Sequence, residues 1–258
     1  MRDGARGIQS IEVSGRILRA LVGESEPMML KDLAKAAELA PAQCHAYLTS
    51  LRHVGLVQQD HDTGRYRMGR FAMRLGGAWL QSSPRPAAAI RLLRALTDEL
   101  DAITILVAWG AMGPTIVHVN EGADPTALNL RQGALYPVTG AASGRIFGAF
   151  MPEAETAPRI ARELEGYAPD AAAQMRARYE ERRAAILRDG YDTADGAPIP
   201  DINAVSAPVF DEAGALDFVI SVIGRRGKLD VGPDGPAATR LAEIARTVSG
   251  ARSHAAAD

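Results

Sequence analysis

The residues best suited to chemistry in this chain lie between Pro41 and Arg70, and that chemistry is recognition of an anion. Arg65 and Arg67 flank Tyr66. In an extended segment alternate residues share a face, so both guanidinium groups project to one side while Tyr66 packs inward. Such a pair is suited to phosphate oxygens. Just upstream, helical spacing puts Ala42, Ala46, Thr49 and His53 on one outward face. Gln43 and Ser50 flank it on one side, His45 and Arg52 on the other. Gln43 can bond adenine through two hydrogen bonds, and Thr49 can offer a methyl group to thymine. Small side chains at Ala42 and Ala46 would let the helix seat deeply.

Bulk charge alone would not point there, since the 258-residue chain has a formal net charge of -2. Its distribution does. Residues 1–75 hold 11 Lys/Arg against 8 Asp/Glu, a net +3, and three of the five histidines. The remainder holds 18 against 23, a net -5. An anionic partner is expected for the first part only.

The elements that must position these residues can be read from spacing. Residues 11–21 carry Val13, Ile17 and Leu21 on one helical face, with Ser10 as the expected N-cap. Leu30, Leu33, Ala34 and Ala37 mark a second amphipathic helix. Pro41 opens a third, with Cys44, Leu48 and Leu51 inward and Gly55 as its stop. Residues 56–59 and 65–68 then pair across Asp62-Thr63-Gly64. Three helices and a hairpin make a winged helix-turn-helix.

A further helix is expected over 70–81, with Phe71, Leu75 and Trp79 along one stripe that either forms a dimerisation surface or packs on its own domain. Ser82-Ser83-Pro84-Arg85-Pro86 interrupts it and marks a boundary. Beyond it, β-rich runs at 103–109 and 115–121 form one hairpin, and 203–210 and 218–223 another. Separate helices are expected at 87–100, 145–150, 152–164, 170–189 and 236–250. The fold class is α+β with an antiparallel sheet flanked by helices.

The second part offers a candidate binding site rather than a catalytic one. Ala142, Ser143 and Gly144 begin a helix, so their backbone N–H groups could meet a carboxylate. Ser143 and Ser221 add hydroxyl groups, and Trp109 and His118 on the first hairpin could face the same space. A Ser143–His118–Asp195 set can be drawn on paper. However, Gly140-Ala141-Ala142-Ser143-Gly144 is not Gly-x-Ser-x-Gly, and no His-Glu-x-x-His is present. No enzyme, cofactor or metal is expected. One cysteine, Cys44, excludes an intrachain disulfide framework. No apolar run is long enough for a membrane span and no signal-peptide core is present, so a cytoplasmic protein is expected.

Six motifs stand in register with one family. They are "SIEVSGRILRAL", "LKDLAKAAELAPAQCHAYLTSLRHVGLVQQD", "GRYRMG", Ala141-Ala142-Ser143-Gly144-Arg145, "SAPVFDEAG" and "ISVIG", with Gly190-Tyr191 between them. Over nearly its whole length the chain resembles the IclR family of bacterial transcriptional regulators. The resemblance implies a winged helix-turn-helix over 1–69, a linker helix over 70–86 and a GAF-like effector domain over 87–252. A disordered tail, 253–258, follows. It also implies a double-stranded DNA operator as partner, a homodimer that can pair into a dimer of dimers, and a small-molecule effector. Matched to the family's ligand-contacting positions are Leu128, Ala142, Ser143, Asn203, Ala204, Ser221 and Ile223, with Asp195 nearby. Leu128, Ala204 and Ile223 make that site apolar, so an aromatic carboxylate is expected. The chain departs from the family at Ala46, where an arginine is common, at Ala42-Gln43, and at Pro200-Asp201, where Pro-Gly is usual. DNA contacts are expected from Ala42, Gln43, His45, Ala46, Thr49, Arg52, Arg65 and Arg67.

Overall fold

The structure is a computed structural model that describes residues 7–24, 26–123, 128 and 130–250. The expected tail lies outside the described residues. The chain divides into two compact units, Met1–Ser82 and Ser83–Asp258.

In the first unit, α1 (Gln9–Gly23) buries Val13, Ile17 and Leu21, the face the spacing predicts. Its N-cap is Ile8, not Ser10, which sits inside the helix. The Ser10 carbonyl instead accepts from the Ser14 hydroxyl at 2.8 Å. α2 (Leu30–Ala36) buries Leu33 and Ala34, and α3 (Pro41–His53) buries Cys44, Leu48 and Leu51. Between them Glu38 takes a left-handed backbone, φ 55°. α3 ends in a Schellman motif: Gly55 N donates to Arg52 O and Leu56 N to Leu51 O, both at 3.0 Å, and Gly55 has φ 75°. β1 (Val57–Gln59) and β2 (Tyr66–Met68) pair antiparallel, with Gln58 opposite Arg67. Met28 joins the hairpin by exchanging backbone bonds with Tyr66. Ile17, Leu21, Leu33, Cys44, Leu48, Leu51, Val57 and Tyr66 share one core, so the helices and hairpin form a single body. Burying each large aliphatic side chain contributes roughly 1.5–3 kcal/mol. α4 (Arg70–Ser82) follows directly.

The second unit opens with α5 (Pro84–Leu100). Only Ser83 separates it from α4, so the expected five-residue interruption shrinks to one residue and the expected linker end at 86 falls inside α5. Pro84 and Pro86 sit in the first helical turn, where a missing N–H costs nothing. β3 (Ile103–Gly110), β4 (Gly113–Asn120), β5 (Asp192–Asp195), β6 (Ile202–Phe210) and β7 (Leu216–Arg225) form one antiparallel sheet in the order β4-β3-β7-β6-β5. α6 (Ala142–Phe150), α7 (Glu153–Leu164), α8 (Pro169–Asp189) and α9 (Pro236–Val248) complete the unit. Strand alternation sends Leu106, Val205, Phe218, Ile220 and Val222 to one face, where they pack with Leu93, Leu96 and Leu241 of α5 and α9. Ile103, Ile105, Val107, Val219 and Ile223 go to the other, against Ile146 and Phe147 of α6. Among the described residues no helix is long and apolar enough to cross a membrane.

The sheet edges are modified. β5 covers only Asn203–Ser206 of β6. Beyond it come Pro208, which has no N–H, and Phe210, whose N donates to Ser249 Oγ while its O accepts from Gly250 N. At the other edge Ile116 N donates to Ala134 O and Tyr136 N to Pro114 O, so residues 133–136 run along part of β4.

Candidate nucleic-acid interface and ligand cavity

On α3, Ala42, Gln43, His45, Ala46 and Arg52 are exposed and Thr49 is half-buried. The Thr49 hydroxyl donates to His45 O at 3.0 Å, which occupies its hydrogen and leaves the methyl group for an apolar contact. Arg52 donates to Gln59 Oε1 at 3.0 Å, and Gln59 Nε2 to Gly64 O at 3.0 Å. These bonds tie α3 to the first strand of the wing and to its turn. Within that turn Asp60 accepts from Thr63 N, Thr63 Oγ1 and Asp62 N, bonds that hold its carboxyl below the usual range, the Thr63 backbone bond contributing most.

The two wing arginines differ. Both are exposed, but Arg65 donates to Pro27 O at 2.9 Å, bracing the wing against the start of α2. One Arg65 donor thus braces the wing, and its other guanidinium N–H groups remain available for the expected phosphate contact. Arg67 carries no such bond and shares the exposed face of the hairpin with Gln58.

In the second unit a cavity of about 170 Å³ lies on the α6 side of the sheet. Its wall includes Leu128, Ala142, Ser143, Ala204, Ser221 and Ile223, six of the eleven residues expected there. The cavity lies where α6 begins. Ala141, the N-cap, is extended and supplies no side-chain bond to the first turn. Ser143 Oγ is buried and, among the described residues, is the one buried side-chain polar atom without a hydrogen-bond partner. Donors left this way in a protein interior call for a ligand, a water or an ion. Ser206 Oγ and Ser221 Oγ lie 2.8 Å apart in the same wall, and that bond uses only one of their two hydroxyl hydrogens. Tyr136 also lines the cavity, where burial pushes its phenol up to about 12. It therefore stays neutral.

Two ionic clamps hold this wall. Glu163 on α7 accepts from Val138 N at 2.7 Å, Thr139 N at 3.0 Å and Thr139 Oγ1 at 3.1 Å, with Arg159 beside it. Arg145 on α6 donates to Asp192 at 2.6 Å, Gly140 O at 2.9 Å and Thr193 O at 3.0 Å. Asp192 is fully buried and also accepts from Arg182 of α8.

The other five expected residues lie elsewhere. Asn203 precedes Ala204 in β6, and neighbouring residues of a strand point to opposite faces. Asn203 instead bonds Leu229 O and Gly196 N. His118 pairs opposite Leu106, on the α5 side, and its Nε2 meets Asn120 Oδ1 at 3.0 Å. Trp109 packs on Phe147 with ring centroids 5.6 Å apart, outside the cavity. Asp195 pairs with Arg226 at 3.1 Å. Gly144 presses on the segment before the helix, where a Cβ would fall 1.9 Å from Pro137 O. The notional Ser143–His118–Asp195 set is thus not assembled. The sequence reading missed Leu130, Tyr136, Pro137, Ala141, Ile202 and Ser206, among others. Ile202 and Ser206 could have been found by stepping two residues either way from Ala204.

Two family models match the chain: the IclR helix-turn-helix domain over residues 10–61 and the bacterial transcriptional regulator IclR C-terminal domain over 81–250. The glycerol operon regulatory protein of Streptomyces griseus is 29% identical over 250 residues, 96% of each chain. The crystal structure of Pseudomonas aeruginosa HmgR is 33% identical, covers 94% of this chain and 97% of its own, and superposes with a TM-score of 0.57. An IclR homolog from Microbacterium hydrocarbonoxydans, solved as a complex with 4-hydroxybenzoate, is 16% identical, covers 93% and 97%, and has a TM-score of 0.72. At that identity the likeness concerns the fold alone.

Proposed function

The chain belongs to the IclR family of bacterial transcriptional regulators, and on that premise we propose that its operator binding is modulated by a small aromatic carboxylate held in the cavity of the second, GAF-like unit. The observation that carries this reading is the Ser143 hydroxyl, without a partner among the described residues, at the uncapped start of α6 in a mostly apolar wall. A helix N-terminus favours an anion. The remaining space suits a ring, since an apolar cavity of about 150 Å³ accommodates benzene. The Ser206–Ser221 pair would meet a second polar group such as a ring hydroxyl. The relative complexed with 4-hydroxybenzoate is consistent with this ligand class.

The Streptomyces relative's link to a glycerol operon raises a second reading, a polyol or its phosphate. Against it stands the wall, where among the described residues no Lys or Arg appears and Leu, Ile, Ala and Pro predominate. Calorimetric titration with benzoate-type acids, pyruvate-type acids, glycerol and glycerol phosphate separates the readings. Saturable heat is expected from the benzoate class. Binding confined to one of the other three overturns the aromatic assignment, and binding of none, with full operator affinity, makes the cavity vestigial.

At the DNA we propose that Gln43 and Thr49 face bases, with Ala42 and Ala46 at the groove, while His45, Arg52 and Arg67 meet the backbone and Arg65 braces the wing. Phe71, Leu75 and Trp79, each more than 40% exposed on α4, would pair two copies on a two-fold operator. Two such dimers could assemble further. A benzoate-type effector points to control of aromatic catabolism in the cytoplasm. Linkage requires the effector to bind one arrangement of the dimer more tightly than the other.

A further inference from the structure

Between the C-terminal turn of α3, β1 and the start of α4 lies an open cleft of about 440 Å³. Arg52, His53 and Arg70 line it together with Gln58, and no carboxylate does. Two arginines and a histidine thus share one wall, in the part of the chain where basic residues outnumber acidic ones. Arg52 donates to neutral Gln59 rather than to a carboxylate. Three carbonyls of the last turn of α3 are occupied: Ser50, Arg52 and Leu51 O accept from Val54, Gly55 and Leu56 N. The N-terminus of α4, the favourable end of its dipole, opens at the same place.

The cleft is also continuous with the surfaces already assigned to DNA. Thr49 and His53 extend the α3 stripe that begins at Ala42 and Ala46, and Thr49 lies in the cleft wall. Gln58 sits directly opposite Arg67 on the exposed face of the wing. The floor is rigid: Gly69 N donates to Leu56 O at 2.8 Å and Phe71 N to Gly55 O at 3.1 Å. A Cβ on Gly69 would lie 2.2 Å from Gly55 O, so the two turns fit only because position 69 is glycine.

We propose that this cleft seats a phosphodiester of the operator backbone, held by Arg70, Arg52 and His53, so that the first turn of α4 is itself part of the DNA interface. The proposal rests on the reading of the first unit as DNA-binding and extends it to a helix not assigned to DNA from the sequence. Because α4 is locked to the end of α3, any effector-driven reorientation of α4 acts directly on a DNA contact.

The test compares Arg70→Gln with Arg74→Gln, the same charge change one turn along the same helix but outside the cleft. Each is titrated by fluorescence anisotropy against DNA selected by the wild-type protein, across a range of salt. Arg70→Gln is expected to make the slope of log affinity on log salt shallower by about one unit per bound protomer. The wild-type advantage then shrinks about 3.5-fold per protomer for a fourfold rise in salt. Arg74→Gln should keep the wild-type slope. Equal slopes for the two variants overturn the proposal. Gln43→Ala separates this failure from that of the underlying reading. If it weakens binding while Arg70→Gln behaves as Arg74→Gln, only the cleft assignment falls; if neither variant matters, the DNA-binding face itself is wrong. Without DNA, inorganic phosphate should give no saturable heat. Tight phosphate binding abolished by Arg70→Gln, with an unchanged DNA slope, would assign the seat to a free phosphate group and overturn the proposal.

Discussion

Replacing Ser143 with alanine should move stability and effector affinity in opposite directions. The hydroxyl is buried and finds no partner among the described residues. Folding therefore gives up its hydration and gains no protein hydrogen bond, a cost of roughly 1–3 kcal/mol unless cavity water restores it. Alanine removes that cost while keeping the Cβ and the helical backbone. The ligand-free protein should be as stable as wild type or more stable, by up to about 3 kcal/mol. For a unit of this size each kcal/mol raises the melting temperature by roughly 2–4 °C. Binding should change the other way. A hydrogen bond to a charged group contributes about 1.5–3 kcal/mol, so affinity for a benzoate-type acid should fall roughly 10- to 150-fold. Urea unfolding without ligand and calorimetry with ligand read the two effects independently. A ligand-free variant less stable by 1 kcal/mol or more, with 1 kcal/mol being about the smallest single-site effect that clears ordinary scatter, would mean Ser143 has a structural bond, and the argument for a ligand at this atom collapses. Unchanged affinity would place the carboxylate elsewhere.

Asp192→Asn should destabilise the second unit by about 3–5 kcal/mol, because it leaves buried Arg145 without its carboxylate; urea denaturation measures this, and a loss below 1 kcal/mol would be inconsistent with a buried pair. Asp201 holds φ 63°, a left-handed backbone that glycine adopts without strain, so Asp201→Gly should raise stability by about 1 kcal/mol. A loss there would show that the Asp201 side chain contributes more than the turn conformation. Tyr136 is expected to ionise late, near pH 12, since burial raises its folded value. A phenol raised in the folded state stabilises fully below its unfolded value of about 10 and loses that contribution as pH climbs toward 12. Ultraviolet titration should show one fewer late-ionising tyrosine in Tyr136→Phe, and an unchanged profile would argue against its burial.

How much was legible in the sequence depended on how local the signal was. α3 and its stop could be read because Pro41 and Gly55 each fix a backbone conformation in place. The inward positions of α1 to α3 followed from a period of 3.6 residues. The wing face followed from alternation, but the Arg65–Pro27 bond did not, because it joins residues 38 apart. β5 went unread: in Asp-Thr-Ala-Asp only Thr193 favours a strand, and Asp192 binds two arginines, Arg145 of α6, 47 residues away, and Arg182 of α8. The cavity was half legible. Its start at α6 has a local signature, whereas Ser206 becomes visible only once β6 is in register with β7, opposite Ser221. Asn203 with Ala204 was a mistake that alternation alone could have prevented. The expected interruption at 82–86 failed because proline reads as a breaker while also being a good first-turn residue.

The treatment of the sheet edges decides how copies of this chain can meet. At high local concentration an open strand edge recruits another and grows without limit. Along β6 an incoming strand would find Pro208, which has no proton to give, and then Phe210, whose N–H and C=O are already spent on Ser249 and Gly250. Along β4 the segment 133–136 is already in place over Pro114 and Ile116. Both edges thereby offer a neighbouring strand few free backbone groups, which disfavours edge-to-edge growth.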